Sequence, residues 1–342
     1  MLHEVPYLTR WGTFLTVITT TMIEEEYNLN LEPLIPFEPV STDELPKGDH
    51  FISQIKWDGV RMLLYFDGST TKLFNRRSNE RTLQYPELTQ TKDFCSARSV
   101  ILDGEIIALS QGKPSFYEIM RRDSARKSTT IANAARQVLI TYMVFDVLYC
   151  DGTWVTHLSL KERQAALDKI IQPNQHVQLV TSHNDMEALY NVVAEHDLEG
   201  IVIKDLNSTY LINGKDKRWL KKKMFKDLFA VVSGVTYRDK MVNSLFLGLY
   251  DDQNQLWYIG NAGTGKLTVH DWRMITEQVQ HLIMRERPFI NQTDREKEAV
   301  WIQPQIVVKV TFLEWTPNRT LRHPSIQAFV TRNVKECNFG QN

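Results

Sequence analysis

Lys56-Trp57-Asp58-Gly59-Val60-Arg61 is the stretch that decides how this chain of 342 residues is read. Phe51 to Ile55 before it and Val60 to Phe66 overlapping its end are short runs rich in β-branched and aromatic residues, the composition of strands. Asp-Gly is a tight-turn dipeptide, so the two runs are predicted to form a hairpin, with Lys56 at a strand end facing a pocket. An exposed lysine beside a plain turn is the simpler reading of any lone Asp-Gly. Four fixed residue types narrow it: at near-average residue usage, Lys-x-Asp-Gly-x-Arg arises by chance in roughly a few chains per thousand of this length.

The length is enough for two domains, and 42% hydrophobic with 24% charged residues describes a globular protein rather than a disordered or fibrous one. A net charge of −1 excludes little, because a basic face can be balanced by acid elsewhere. Three scattered cysteines, Cys95, Cys150 and Cys337, have neither zinc spacing nor the even count of a disulfide framework, which points to a reducing compartment. Residues 1–30 read as an N-terminal extension, with Met22 as an alternative start. The apolar run from Trp11 to Ile23 is broken by five threonines and lacks a small-residue cleavage pattern, so neither a signal peptide nor a membrane span is expected.

Working outward, prolines 33, 36, 39 and 46 deliver an extended chain to the first strand. Thr71 to Phe74 ends at Asn75-Arg76-Arg77-Ser78, two arginines where a strand meets a loop. Val100 to Leu109 reads as two apolar half-strands around an acidic turn, Asp103-Gly104-Glu105, where a buried carboxylate needs a partner. Thr141 to Leu148 is a buried strand carrying Phe145-Asp146-Val147-Leu148-Tyr149. Ser159 with Glu162 is a capping box for one helix, and Asp185 to His196 is a second, both with core-facing stripes. Glu199 and Lys204 then bracket a short apolar strand, and the densest basic run follows, Lys215 to Lys223. In a strand, Lys221 and Lys223 share one face while Leu220, Lys222 and Met224 take the other.

After about residue 226, short strands predominate (Leu228 to Tyr237, Ser244 to Tyr250, Gln255 to Gly260, Ile306 to Thr316), with one helix from about Val269 to Arg285. That pattern suits an OB-fold. Gly260-Asn261-Ala262-Gly263-Thr264-Gly265-Lys266 nearly completes a phosphate-binding P-loop but fails at Leu267, where Ser or Thr is required, and a hairpin exit is the better reading.

Taken in order, these segments resemble the motifs of ATP-dependent DNA ligases, and Phe312-Leu313-Glu314-Trp315-Thr316 with Leu321-Arg322-His323-Pro324 resembles the bacterial stand-alone or end-joining type. The resemblance covers roughly Leu31 to Lys335. It implies an α+β chain: a nucleotidyltransferase (adenylation) domain of antiparallel sheets with flanking helices over 31–226, then an all-β OB-fold barrel with one helix over 227–342. Lys56 would be the nucleophile that carries AMP. Gln54, in place of the usual glutamate, would accept a hydrogen bond from the adenine amino group. Phe145 would stack on adenine, Arg61 and Arg76 would lie by the nucleotide and the DNA 5′-phosphate, and Glu105 would hold the ribose or a metal. Glu199 would hold Mg²⁺ or Mn²⁺, while Lys221 and Lys223 grip the α-phosphate and Lys215 stands where many relatives have arginine. Arg332 and Lys335 would orient the pyrophosphate, although Val334 replaces an aspartate between them. A flexible joint near Phe225 to Leu228 is expected.

The chemistry explains the residue types. An ordinary lysine, with a pKa near 10.4, is neutral in only about one molecule in 2,500 at pH 7. Surrounding cations disfavour the ammonium and also neutralise charge on the α-phosphate as pyrophosphate leaves. The resemblance thus implies ATP as substrate and nicked double-stranded DNA as partner, with Ku or a repair polymerase as companion in the end-joining type. It also implies a monomer, placed in the cytoplasm at the nucleoid and acting in DNA repair and recombination. A ligase for RNA or mixed strands is the alternative within the same superfamily. A non-catalytic OB nucleic-acid binder is disfavoured, because such a protein would keep the strands and shed the ordered charges.

Overall fold

The computed structural model describes residues 32–341, so the expected N-terminal extension and its Met22 start lie outside the described residues. The chain divides between Lys222 and Lys223 into two compact units, a little before the boundary expected at 226. The strands of the first are β1 (Glu38–Ser41), β2 (Phe51–Ile55), β3 (Val60–Phe66), β4 (Thr71–Asn75), β5 (Val100–Ser110), β6 (Lys113–Pro114), β7 (Ile140–Cys150), β8 (Thr153–Trp154), β9 (Val177–Leu179), β10 (Gly200–Asp205) and β11 (Lys215–Lys223). Its helices are α1 (Phe116–Asp123), α2 (Ser128–Gln137), α3 (Leu160–Ile170) and α4 (Met186–Glu195).

Two sheets build this unit. One has the order β1-β11-β10-β2 and the other β4-β3-β5-β7-β8, with β6 added to β5 and β9 to β7. β1 on β11 and β9 on β7 are parallel, while β10 on β2 and the pairs among β3, β4, β5, β6, β7 and β8 are antiparallel. The hairpin expected at Asp58-Gly59 does not form: β2 pairs with β10 in the first sheet, whereas β3 pairs with β4 and β5 in the second. Residues 56–59 instead carry the chain from one sheet to the other. Gly59 supplies space there, since a Cβ would lie 2.2 Å from the Ile106 carbonyl oxygen of β5.

Nor is there a turn at Asp103-Gly104-Glu105. β5 runs through it unbroken, paired on both sides, and a Cβ at Gly104 would meet the Tyr142 ring at 2.4 Å. Pairing on two flanks overrides the local preference of Asp-Gly.

The strand period of two divides the core. Met62, Leu64 and Phe66 of β3 join Leu102, Ile106 and Val144 in one cluster. Leu63 and Tyr65 face the other way and meet Phe37 and Trp219, so the two sheets share an aromatic-rich layer. On the far side of the first sheet, Leu189 and Val193 of α4 pack on Ile201, Ile203 and Leu220. The capping box at Ser159 and the Asp185 cap start α3 and α4 as their sequences predict.

The second unit is β12 (Lys226–Arg238), β13 (Met241–Tyr250), β14 (Leu256–Ala262), α5 (Val269–Gln278), β15 (Val300–Phe312) and β16 (Ser325–Val330), with strand order β14-β13-β12-β15-β16. Its two edge strands are tied together: the Leu321 amide donates to the Ile259 carbonyl at 2.7 Å, and Gly265 forms a parallel bridge with Ile326. This closes a small barrel. The glycine-rich segment that imitates a P-loop makes the closure. Gly265 sits at φ +146°, and a Cβ there would fall 1.9 Å from the Ile326 carbonyl oxygen. Helix α5 is shorter than expected, giving way to a 3₁₀ turn at Val279–His281. Among the described residues, no helix is long and apolar enough to cross a membrane.

Candidate active site

The register of β2 on β10 sets the site. Ile55 lies opposite Ile201, and the Lys56 amide donates to the Gly200 carbonyl at 2.9 Å. Lys56, just past β2, therefore stands beside Glu199, just before β10. Lys56 Nζ lies 2.5 Å from Glu199 Oε2, with the lysine side chain 21% exposed and the glutamate 6%.

Glu105 comes from β5, opposite Arg61 of β3. Burial pushes its carboxyl up to about 8; Lys56 and Arg61 pull it down, while Glu199 and Asp58 push it further up. Glu199 and Glu105 are thus both within electrostatic reach of Lys56, and Asp58 acts on Glu105. Among the described residues, no three His, Cys, Asp or Glu side chains are grouped to hold a metal ion by themselves. Mg²⁺ ordinarily takes one or two carboxylates and completes its shell with water and substrate phosphates. A desolvated Glu105 beside Glu199 has the donor chemistry for an ion that arrives with a nucleotide.

Arg61 has a partner that no local motif announced. Its guanidinium is bidentate to Asp103, Nε to Oδ1 at 2.9 Å and Nη2 to Oδ2 at 2.6 Å, and Nη1 donates to the Phe37 carbonyl at 2.6 Å. The Tyr210 hydroxyl donates to the same carboxylate at 2.8 Å. Burial, the largest influence, would lower the arginine's pKa, but Asp103, Tyr210 and Glu105 together outweigh it and the pKa is raised. Deeper in the wall, Arg163 pairs with Asp146 in the same bidentate way, at 2.7 and 3.0 Å, both side chains fully buried.

Phe145, on β7, is half-buried, with its ring edge-to-face with Trp219 and the Arg61 guanidinium 5.3 Å from its centroid. Gln54 is buried, and its amide nitrogen donates to the Ser182 hydroxyl at 3.1 Å, which fixes the orientation of the amide. On β11, Leu220 packs toward α4 and Lys222 reaches the Asp43 carbonyl and the Tyr190 ring, as the two-residue period predicts. Lys221 and Trp219 take the opposite face, the side of Phe145. Lys223 begins the second unit.

Four expected residues are held elsewhere. Lys215 is 57% exposed and lies 3.7 Å from Glu38. Arg76 is exposed at a turn built by Asn75, whose Oδ1 accepts from the Arg77 and Asn79 amides at 3.0 and 3.1 Å. In the second unit, Arg332 pairs with Glu336 at 2.7 Å and lies over Phe229, while Lys335 reaches Asn254 and the Tyr250 ring. Val334 packs on the barrel core. The structure also adds Asp103, Tyr210 and Trp219 to the site. The Trp-x-Lys-x-Lys pattern contains Trp219, but Tyr210 carries no local signal.

Residues 38–223 match the family model described as ATP dependent DNA ligase domain, and 238–333 match the ATP dependent DNA ligase C terminal region. The chain is similar to the SPbeta prophage-derived DNA ligase-like protein LigB of Bacillus subtilis, 36% identical over 194 residues, 56% of this chain and 67% of the relative. It is 32% identical to a DNA ligase of Methanocorpusculum labreanum over 217 residues, 61% of this chain and 39% of that one. With a DNA ligase of Thermococcus fumicolans it shares 28% over 284 residues, 79% of this chain and 49% of that one. The chain thus spans less than half the length of these last two relatives. Among solved structures, Pmar-Lig_Pre. is similar with a TM-score of 0.62 at 16% identity, covering 91% of this chain and 71% of that one. A Lig E DNA ligase is similar with a TM-score of 0.56 at 18% identity, covering 86% and 99%. At these identities the likeness bears on the fold.

Proposed function

We propose that this chain, which belongs to the ATP-dependent DNA ligase family, seals 5′-phosphate/3′-hydroxyl nicks in duplex DNA through a lysyl-AMP on Lys56. One observation carries the reading: a lysine set between Glu199 and Glu105 where two sheets meet, in the same wall as a half-exposed aromatic ring. To attack, the ammonium must shed a proton to solvent, a loss that Glu199 opposes while it pairs with Nζ at 2.5 Å and that a divalent ion drawing Glu199 away would favour. The lone pair of Nζ then forms a P–N bond to the α-phosphorus of ATP as the bond to pyrophosphate breaks. A divalent ion held by Glu105 and Glu199 would add positive charge beside the phosphates.

Phe145 is assigned to stack on adenine, Gln54 to accept from its amino group, and Lys221 and Lys223 to hold the α-phosphate. Arg76, exposed on its turn, suits a DNA 5′-phosphate better than a buried contact. Arg61 is assigned first to its Asp103 pair, and it reaches the nucleotide through the Phe145 side of the wall. Lys215, more than half exposed beside Glu38, is assigned the outermost phosphate contact. In a second step, AMP passes to the 5′-phosphate, and the 3′-hydroxyl then displaces it. For Arg332 and Lys335 the proposal is a role in the first step alone. The place of action would be the cytoplasm.

The test is labelling of the protein with α-labelled ATP and Mg²⁺, followed by sealing of nicked DNA, RNA and mixed duplexes. Covalent label from ATP and sealing of the DNA nick are expected. Label from GTP instead, or sealing of RNA nicks alone, would overturn the reading.

A further inference from the structure

Lys204 closes the inner end of β10, opposite Ile52 of β2. Its side chain is 2% exposed, and its Nζ has no hydrogen-bond partner among the described residues. What surrounds it is aromatic. Nζ lies 4.2 Å from the Phe145 ring centroid and 4.1 Å from that of Trp219, and those rings stand at 80° with centroids 6.0 Å apart. The ammonium therefore fills the corner between two ring faces.

The nearby carboxylates are already committed. Asp103 is held by Arg61 and Tyr210, and Asp146 by Arg163 and the Val147 amide. Burial lowers the ammonium pKa to about 7, against the pull of Asp146 and Asp103 and with the push of Arg61 and Arg163. A methionine would fill the same space without the cost of desolvating a charge. An unpartnered buried cation is thus a poor choice for scaffold alone.

We propose that Lys204 is a positioning residue for the nucleotide base, acting through the ring of Phe145. Nζ and the Arg61 guanidinium, 5.3 Å from the same centroid, are both on the buried side of the site, and the part of Phe145 that is left half-exposed is the part offered to a base. A cation on the buried side holds the ring upright and draws π-density inward, which makes the exposed part a better partner for an electron-rich purine. The inference rests on the reading of Phe145 as base platform.

Self-adenylation rates against ATP concentration for Lys204→Met, Phe145→Leu and the double variant test it. Lys204→Met is expected to raise KM for ATP about tenfold, with the maximal rate within about twofold and the thermal midpoint no lower. Phe145→Leu should raise KM by itself, and adding Lys204→Met should then change nothing further. If the two effects multiply, Lys204 acts elsewhere than through Phe145 and the proposal fails. An unchanged KM for Lys204→Met beside a raised KM for Phe145→Leu also defeats it, as does a Lys204→Met protein that does not fold. An unchanged KM for Phe145→Leu would instead remove the platform reading itself.

Discussion

The inner wall of the first unit and the mouth of its site hold their charges in opposite ways. In the wall, Arg61 with Asp103 and Arg163 with Asp146 are bidentate pairs, buried and further fixed by carbonyl acceptors or Tyr210. At the mouth, Lys56 meets Glu199 through one contact, is partly exposed, and has Glu105 and Asp58 nearby as further acids. A buried pair with several hydrogen bonds is costly to open, because either partner left alone is an uncompensated charge. A single lysine–carboxylate contact near solvent dissolves readily when a phosphate or a metal ion competes for its members. The wall is built to stay and the mouth to change.

The largest expected effect tests the mouth. Lys56→Ala should abolish covalent labelling by ATP while costing less in urea unfolding than the loss of a wall arginine, since Lys56 is partly exposed and meets Glu199 through a single contact. Retained label would remove Lys56 from the chemistry, and a large loss of stability would erase the contrast with the wall.

Arg163→Met should show the reverse. It strands Asp146 in the interior and is expected to cost about 3–5 kcal/mol in the same unfolding experiment. A cost below about 1 kcal/mol would mean that the wall pairs are no firmer than the mouth.

Phe145 lies where wall and mouth meet. Phe145→Ala should raise KM for ATP roughly tenfold, in keeping with about 1–3 kcal/mol for a base-stacking ring. An unchanged KM would make the ring plain core.

A smaller effect concerns pH. Lys204 releases its proton near 7 in the folded chain, against about 10.5 for an ordinary lysine, so between those values the unfolded chain binds more protons. Its contribution to stability rises with pH across that window and is lost as pH falls through it. Urea midpoints of Lys204→Met should lack this rise; an identical pH dependence in both proteins would count against a charged lysine in the wall. Smallest of all, Lys215→Ala should alter the adenylation rate by less than about threefold, since an exposed pair at 3.7 Å contributes little. A drop well beyond tenfold would make Lys215 a principal phosphate contact rather than an outermost one.

Much of this was legible along the chain because it depends on near neighbours. Strand alternation placed Lys221 and Lys222 on opposite faces, the Ser159 and Asp185 caps started their helices, and the spacing of Lys56, Asp58, Gly59 and Arg61 marked the site. Helices α1 and α2 escaped. The buried residues of α1 include Arg122 and Asp123, so its inward stripe is polar and hidden from a hydrophobic period.

What only the tertiary structure decided is which strands became neighbours. Asp58-Gly59 and Asp103-Gly104 each suit a turn locally, yet one became a crossing between sheets and the other the middle of a doubly paired strand. Backbone pairing and the space left by a missing Cβ outweigh a turn preference of a fraction of a residue's folding free energy. By the same route, an arginine that the sequence offered to a nucleotide was given to Asp103, and a lysine at the end of β10 was buried between two rings, because burial and counter-ions are assigned by residues distant in sequence.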